Sequence, residues 1–147
     1  MKLVNREDVV LNVEASSKKE VLSQLAQKAF ELNRVDNAKT FFEQLCKREE
    51  EATTGFGNGI AIPHARHTCV KNAGIIVARL NQGVEWNSMD GEPVNTCICL
   101  IAPDDKNDFH LKMLSKLARK LIYTEFTDML KNSDVDTLLE EVNKVLD

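Results

Sequence analysis

The chain has 147 residues, 43% of them hydrophobic and 29% charged, and a formal net charge of −4 at pH 7. This length suits one domain with a sizeable core. The acidic balance, without any lysine and arginine cluster, argues against nucleic acid as a partner. The first residues, MKLVNREDVV, hold no long apolar segment, and no stretch approaches the roughly 20 apolar residues of a membrane span. We therefore expect a cytoplasmic protein without direct membrane insertion.

Two amphipathic helices are predicted in the first third of the chain. Ser17 and Glu20 form a capping-box pattern at the start of SKKEVLSQLAQKAFEL, where apolar residues recur at helical spacing. Asp36 is the predicted N-cap of a second helix, NAKTFFEQLCKREEE. The glycine-rich ATTGFGNG that follows is predicted to be a loop.

The middle of the chain has the pattern of strands. GIAIP, AGIIVARL and PVNTCICLIAP are near-continuous apolar runs, which are typical of strands covered on both faces. The strongest turn signal between them is Asp90-Gly91. Cys97 and Cys99 are two residues apart, so they would share one strand face as buried, reduced thiols.

The last third returns to helical periodicity. NDFHLKMLSKLARKLIY is amphipathic, and two shorter helices are predicted over EFTDMLKN and DVDTLLEEVNKVL, the second with a capping-box pattern at Ser133 and Asp136. No repeat or linker interrupts the chain. The order of elements predicts one α/β domain over residues 1–147. It would be a sandwich whose mixed or mostly parallel β-sheet, of about five strands, is packed with helices.

The segment TTGFGNGIAIPHAR carries the main functional signal. Its alternate glycines permit positive φ, and successive free N–H groups in such a turn can bind an anion. No lysine follows as in a P-loop, and the helix–loop–strand order is the reverse of a dinucleotide-binding unit. Pro63 restricts the backbone before His64, so the imidazole should be presented at a strand end. The segment predicts a cradle for a tetrahedral anion, with a structural, partly buried histidine as the alternative.

Other polar residues give further candidates. Arg48 ends the second helix and His110 begins a later one, although each could lie on a solvated helix face. A zinc site at His64, His67 and Cys69 is a weaker hypothesis because no fourth ligand is evident. An acyl-transfer enzyme using Cys69 is weaker still, because no oxyanion-loop pattern surrounds that residue.

The motif RxxxxTTGxGxGIAIPH, from Arg48 to His64, resembles the active-site segment of phosphotransferase-system (PTS) enzyme IIA domains of the fructose/mannitol family. HLKMLSKLA, from His110, is similar to the family's second histidine segment. The resemblance covers essentially the whole chain. Mannitol-type members carry a glutamate where Asn58 stands, so GNG is more similar to the fructose and nitrogen-regulatory branches.

The resemblance implies a type-2 enzyme IIA domain that acts as a phosphocarrier. His64 would accept a phosphoryl group from the phosphocarrier protein HPr and pass it to a cysteine of enzyme IIB, with Arg48 and His110 completing the active site. Sugar uptake would then involve functional association with membrane enzyme IIC. The alternative is a regulatory IIA-like protein in nitrogen or carbon control, whose phosphorylation at His64 switches partner binding.

Supporting roles can be predicted for the glycine segment. Thr54, Asn58 and the backbone N–H groups of Gly57 and Gly59 are expected to donate hydrogen bonds to the phosphoryl oxygens. Phe56, flanked by glycines, is the expected apolar docking contact for partner proteins. We expect neither a metal nor a cofactor, because protein donors can hold the charge of the group being transferred.

Overall fold

The computed structural model describes residues 3–105 and 108–147. The described strands are β1 (Val9–Val13), β2 (Gly55–Gly57), β3 (Ile60–Ala61), β4 (His64–His67), β5 (Gly74–Val84) and β6 (Val94–Pro103). The described helices are α1 (Lys18–Glu31), α2 (Ala38–Glu51), α3 (Phe109–Leu121), α4 (Thr124–Asn132) and α5 (Val135–Leu146), and a short 3₁₀ turn precedes β1 at Arg6–Asp8.

The strands form one mixed sheet in the order β1-β5-β6-β3-β2, and β4 also pairs with β6. β1 lies parallel to β5, β3 and β4 lie parallel to β6, and β5 and β6 are antiparallel. The predicted α/β fold with a mixed sheet is confirmed, with six described strands rather than about five. Three of these strands were not predicted individually: β1, whose residues are only partly buried and follow the charged NRED, β2, which lies in the segment expected to be a loop, and β4, which begins at His64.

Both faces of the sheet are covered by helices, as the apolar strand patterns predicted. Cys97 and Cys99 of β6 point into a core formed with α1 and α2, here called the α1–α2 layer. Ile98 and Leu100 point to the opposite side, into a core formed with α3, α4 and α5, here called the α3–α5 layer. Burial raises the pKa of the Cys99 thiol to about 12, which keeps it protonated within the core.

The first helix begins as the sequence predicted. The Ser17 hydroxyl oxygen accepts a hydrogen bond from the backbone N–H of Glu20 at 3.2 Å. The Glu20 carboxylate, however, accepts from the Ser16 backbone N–H at 2.9 Å, so the reciprocal half of the capping box is displaced by one residue.

Two predicted N-caps are wrong by one residue. Asn37, not Asp36, caps α2, because the Asp36 N–H is held by the Cys69 carbonyl at 2.9 Å, before the helix begins. Asp134 caps α5 and accepts from the Thr137 N–H at 3.1 Å. Ser133 instead ends α4, where its N–H donates to the carbonyl of Met129.

The glycine-rich segment is a hairpin rather than an open loop. Gly55–Gly57 forms β2, which pairs with the antiparallel β3. Asn58 and Gly59 connect them with φ values of 55° and 82°, the left-handed conformations that a tight Asn-Gly turn requires. The glycines therefore serve chain reversal. In the part of the chain that the structure describes, no helix is both long and apolar enough to cross a membrane.

Candidate phosphoryl-transfer site

His64 begins β4, just beyond the end of β3 and Pro63, and is only 9% exposed. Its Nδ1 lies 2.8 Å from the carbonyl oxygen of Ile62. A carbonyl can only accept a hydrogen bond, so Nδ1 carries the proton and Nε2 has a free lone pair. The backbone turn at Ile62 therefore selects the tautomer in which Nε2 is the nucleophilic nitrogen.

Arg48 meets this nitrogen from the last turn of α2. Its Nε donates to Nε2 of His64 at 3.1 Å, and its Nη1 donates to the carbonyl of Ala52 at 2.6 Å. The guanidinium is thereby held between the end of its own helix and the imidazole. Arg48 and His64, which the sequence motif predicted to lie in one site, are therefore in contact in the structure.

His110 lies in the first turn of α3 and lines the same pocket as the imidazole. The ring centroids of His64 and His110 are 6.0 Å apart. Its Nδ1 is buried and has no hydrogen-bond partner within residues 3–105 and 108–147. Residues from α2, β4 and α3, distant in the sequence, thus converge on one point at the edge of the sheet.

These residues line an open pocket of about 340 Å³. Its lining consists of Gln44, Lys47, Arg48, Glu51, His64, Ala65, Arg66 and His110. Three cationic side chains, Lys47, Arg48 and Arg66, thus line the pocket together with one carboxylate, Glu51, and this excess of positive charge favours the binding of an anion.

Arg66 was not predicted from the sequence, although a residue two positions after His64 on a strand shares its face. Arg66 Nε lies 3.3 Å from Asp104 Oδ1.

Burial lowers the pKa of His64 below its usual value of 6.5, and the positive charges of Arg48 and His110 lower it further. The hydrogen bond to Ile62 and the charge of Glu49 act in the opposite direction. Burial also lowers the pKa of His110, with a further contribution from Arg66. Both imidazoles are therefore neutral near pH 7, and Nε2 of His64 is available as a nucleophile.

Thr54 does not present a free hydroxyl to this pocket. Its Oγ1 donates to Glu49 Oε2, and its backbone N–H donates to Glu49 Oε1 at 3.1 Å. The same Oγ1 accepts from Trp86 Nε1 at 3.2 Å. The predicted phosphate donor is therefore already bound to protein groups.

The Gly57–Gly59 turn lies away from the pocket. Ile60 pairs with Thr96 of β6, whereas His64 pairs with Leu100. Four residues along a strand span about 13 Å. The Asn58 N–H donates to Asp90 Oδ2 at 2.9 Å. The expected cradle of Gly57, Asn58 and Gly59 around His64 is not formed, because the turn reverses the chain at the far end of β3.

Phe56 is also absent from the pocket lining. Its partly buried ring packs against the α3–α5 layer, so the structure does not place it beside the imidazole. The predicted docking contact next to His64 is not supported by this position.

The two weaker chemical alternatives also fail on geometry. His67 is three residues from His64 on β4, so the two side chains lie on opposite faces of the strand. In the described ranges, no group of three or more histidine, cysteine, aspartate or glutamate residues is placed to hold a metal ion. Cys69 is buried, and burial raises the pKa of its thiol, which opposes a role as nucleophile.

Comparison with known proteins identifies the family. The chain matches the family model "Phosphoenolpyruvate-dependent sugar phosphotransferase system, EIIA 2" over residues 2–145. It is 36% identical over 136 residues to the PTS system fructose-like EIIA component of Escherichia coli (strain K12), covering 92% of each chain. The chain therefore belongs to the EIIA 2 family of the sugar phosphotransferase system.

Two solved structures share the fold. The crystal structure of nitrogen regulatory protein IIA-Ntr from Neisseria meningitidis has a TM-score of 0.85 and 32% identity, and the match covers 99% of this chain and 97% of the other. The complex of enzyme IIAMTL and phosphorylated enzyme IIBMTL from Escherichia coli has a TM-score of 0.80 at 19% identity, covering 95% and 96%. The predicted family resemblance is confirmed.

Proposed function

We propose that this protein is a phosphocarrier of the sugar phosphotransferase system, a single enzyme IIA domain that accepts a phosphoryl group on Nε2 of His64. The observation that carries the proposal is the state of this imidazole. Nδ1 is fixed on the Ile62 carbonyl, and Nε2 faces Arg48 in a cationic pocket. A neutral nucleophile next to a permanent cation suits the transfer of a dianionic group.

In the first step, the Nε2 lone pair attacks the phosphorus of phosphorylated HPr. The new N–P bond forms as the bond from phosphorus to the donor atom breaks, and that electron pair stays on the donor. The phosphoryl oxygens replace Nε2 as acceptors for Arg48, and the Nδ1–H hydrogen bond to Ile62 stabilises the positive charge that develops on the ring. The pocket thus holds the charge with protein donors alone.

In the second step, a cysteine thiolate of enzyme IIB attacks the same phosphorus. The S–P bond forms, the N–P bond breaks, and its electron pair returns to Nε2. A IIB partner is supported by the mannitol IIA–IIB complex, which has the same fold. We place the protein in the cytoplasm, in functional association with membrane enzyme IIC.

A regulatory role is the second candidate, because the chain is 32% identical to a nitrogen regulatory protein over 99% of its length. In that case phosphorylation of the same His64 would change the affinity for a regulated protein. Phosphoryl transfer to IIB and phosphorylation-dependent binding to a regulator can be measured in separate assays, so the two roles can be distinguished.

Phosphorylation with phosphoenolpyruvate, enzyme I and HPr tests the shared step. We expect one labelled site on the wild-type protein, no labelling of His64→Ala and normal labelling of His67→Ala, because His67 lies on the opposite face of β4. Label that persists in His64→Ala, or that maps to His67 or His110, would contradict the proposal.

Mixing the labelled protein with fructose-type IIB domains tests the second step. Rapid transfer to a IIB domain, but not to a variant without its cysteine, supports the carrier role. Retention of the label, together with phosphorylation-dependent capture of a regulator, supports the regulatory role instead.

A further inference from the structure

One buried carboxylate beside the site has no part in the chemistry described above. The Glu49 side chain is only 6% exposed, although it follows Arg48 directly in α2. Its two oxygens accept both the N–H and the hydroxyl of Thr54, and Oε1 also lies 3.3 Å from Lys18 Nζ. Glu49 therefore binds the segment Ala52–Thr54 to the end of α2.

This segment holds the two reacting side chains by separate routes. The carbonyl of Ala52 accepts from Nη1 of Arg48 at 2.6 Å. The carbonyl of Thr54 accepts from the N–H of Ile62 at 3.0 Å, and the carbonyl of Ile62 in turn fixes Nδ1 of His64 at 2.8 Å. A displacement of the segment would therefore move the guanidinium and release the imidazole tautomer together.

We infer that Glu49 is a positioning residue for phosphoryl transfer, which acts through Thr54 to align Arg48 with Nε2 of His64. The inference rests on the proposed phosphocarrier function. Thr54 is thereby also assigned a role in aligning Arg48 with His64, in place of the direct phosphate contact that the sequence predicted.

The position requires a carboxylate rather than any polar group. Three donors from Thr54 and Lys18 converge on its two oxygens, so both oxygens must accept. Glutamine would place an NH₂ group against one of these donors, in a site with little water to compensate. Trp86 closes the other side through its Nε1 hydrogen bond to Thr54 Oγ1.

Glu49→Gln tests this inference, with Glu50→Gln as the matched control because Glu50 is exposed on the same helix. We expect Glu49→Gln to slow phosphorylation by HPr about 10- to 100-fold, since small misplacements of reacting groups have effects of this size. Glu50→Gln should label at the wild-type rate. Circular dichroism and thermal unfolding check that each variant is folded.

Nitrogen NMR of the unphosphorylated protein provides a second readout, which does not depend on transfer. In the wild type, His64 should show the single tautomer with hydrogen on Nδ1. In Glu49→Gln we expect a mixture of tautomers and a lower His64 pKa, because the Glu49 charge raises that pKa. Loss of the Glu49 charge alone would lower the pKa and leave a single tautomer, so the mixture of tautomers is the readout that a structural role confined to folding would not produce.

Variants of Thr54 complete the test if Glu49→Gln fails to fold. Thr54→Ser retains the hydroxyl and should transfer normally, whereas Thr54→Val should be slowed and show mixed tautomers. Wild-type rates and a single tautomer in folded Glu49→Gln, or in Thr54→Val where Glu49→Gln does not fold, would overturn the inference. Failure of the wild type itself to accept label would instead refute the phosphocarrier function.

Discussion

At the scale of single residues, the decisive feature is which nitrogen of His64 is free. A histidine in solution exchanges between two neutral tautomers, and the Ile62 carbonyl selects one by accepting from Nδ1. Burial and Arg48 then keep the ring neutral by lowering its pKa. For the proposed phosphoryl transfer, this arrangement would prepare the site before a donor arrives and reduce the reorganisation needed in the transition state.

The lowered pKa predicts the pH dependence of phosphorylation. Only the neutral ring has a lone pair on Nε2, and a pKa below the usual 6.5 keeps the ring neutral to lower pH. We expect NMR titration of His64 to give a midpoint below 6.5, and the single-turnover labelling rate to be constant well above that midpoint, to reach half of its maximum there and to decline further below it. A midpoint above 6.5, or a rate that rises on acidification, would show that the ring is not held neutral by burial.

Arg48→Lys separates charge from geometry. Lysine keeps the positive charge but lacks the rigid planar group whose separate nitrogens, Nε and Nη1, donate to His64 and to Ala52. We expect phosphorylation to slow about 10²- to 10³-fold, the usual cost of losing one oriented donor, while the His64 pKa stays low. Arg119→Lys is the control, because Arg119 is exposed on α3 and its side chain bonds Ser115 in its own helix. Equal rates in the two variants would contradict the proposed role.

The motif spacing predicted which three side chains meet in the pocket better than it predicted the groups around them. Arg48, His64 and His110 meet because the last turn of α2, the start of β4 and the first turn of α3 lie at one edge of the sheet. The glycines suggested a cradle, but the same residues also suit a hairpin turn, and a sequence pattern does not distinguish these uses. Glu49 and Arg66 were missed because acidic and basic residues at such positions are usually solvated.

At the scale of elements, the residue at which a helix begins depended on tertiary contacts, which cannot be predicted from local sequence patterns. The sequence predicted all five described helices, yet two N-caps were wrong by one residue because the Asp36 N–H donates to the Cys69 carbonyl and Ser133 completes α4. The short strand β1 was not predicted, because an edge strand with mixed exposure lacks a clear alternation. The long strands β5 and β6 were predictable because burial on both faces of the sheet requires most residues in them to be apolar.

Arg79 gives a prediction at this scale. Its side chain on β5 caps the end of α4, where Nε donates to the carbonyl of Leu130 at 2.9 Å and Nη1 to that of Ser133 at 2.7 Å. Arg79→Met should lower the free energy of unfolding by about 1.5–3 kcal/mol, as expected for hydrogen bonds from a charged donor. Urea denaturation measures this, with Arg119→Met as the exposed control. A loss no larger than that of the control would show that the cap contributes nothing.

At the scale of the whole molecule, the two helical layers share one sheet. Leu117 of α3 is completely buried in the α3–α5 layer, whereas Trp86, the sole tryptophan, belongs to the α1–α2 layer. Because β5 and β6 contribute side chains to both layers, the loss of one layer should destabilise the other.

Leu117→Ala should therefore cost about 2–5 kcal/mol of unfolding free energy, through the cavity that it leaves. Tryptophan fluorescence and circular dichroism should still report one coincident transition. Ile122→Ala, at a position 66% exposed, should have little effect. Separate midpoints for the two probes would show that the layers unfold independently.

The central place of β6 also determines the order in which the chain can fold during synthesis. β1 must wait for its partner β5, and both β4 and the β2–β3 hairpin must wait for β6, which is completed only at Pro103. At a translation rate of about 5–20 residues per second, these apolar segments emerge from the ribosome seconds before their partners exist. Meanwhile α1 and α2 can form and pack on each other, since they are neighbours in sequence and in space. The nascent chain thus presents a helical pair with unpaired apolar strands, the kind of species that chaperones recognise, until translation passes the end of β6.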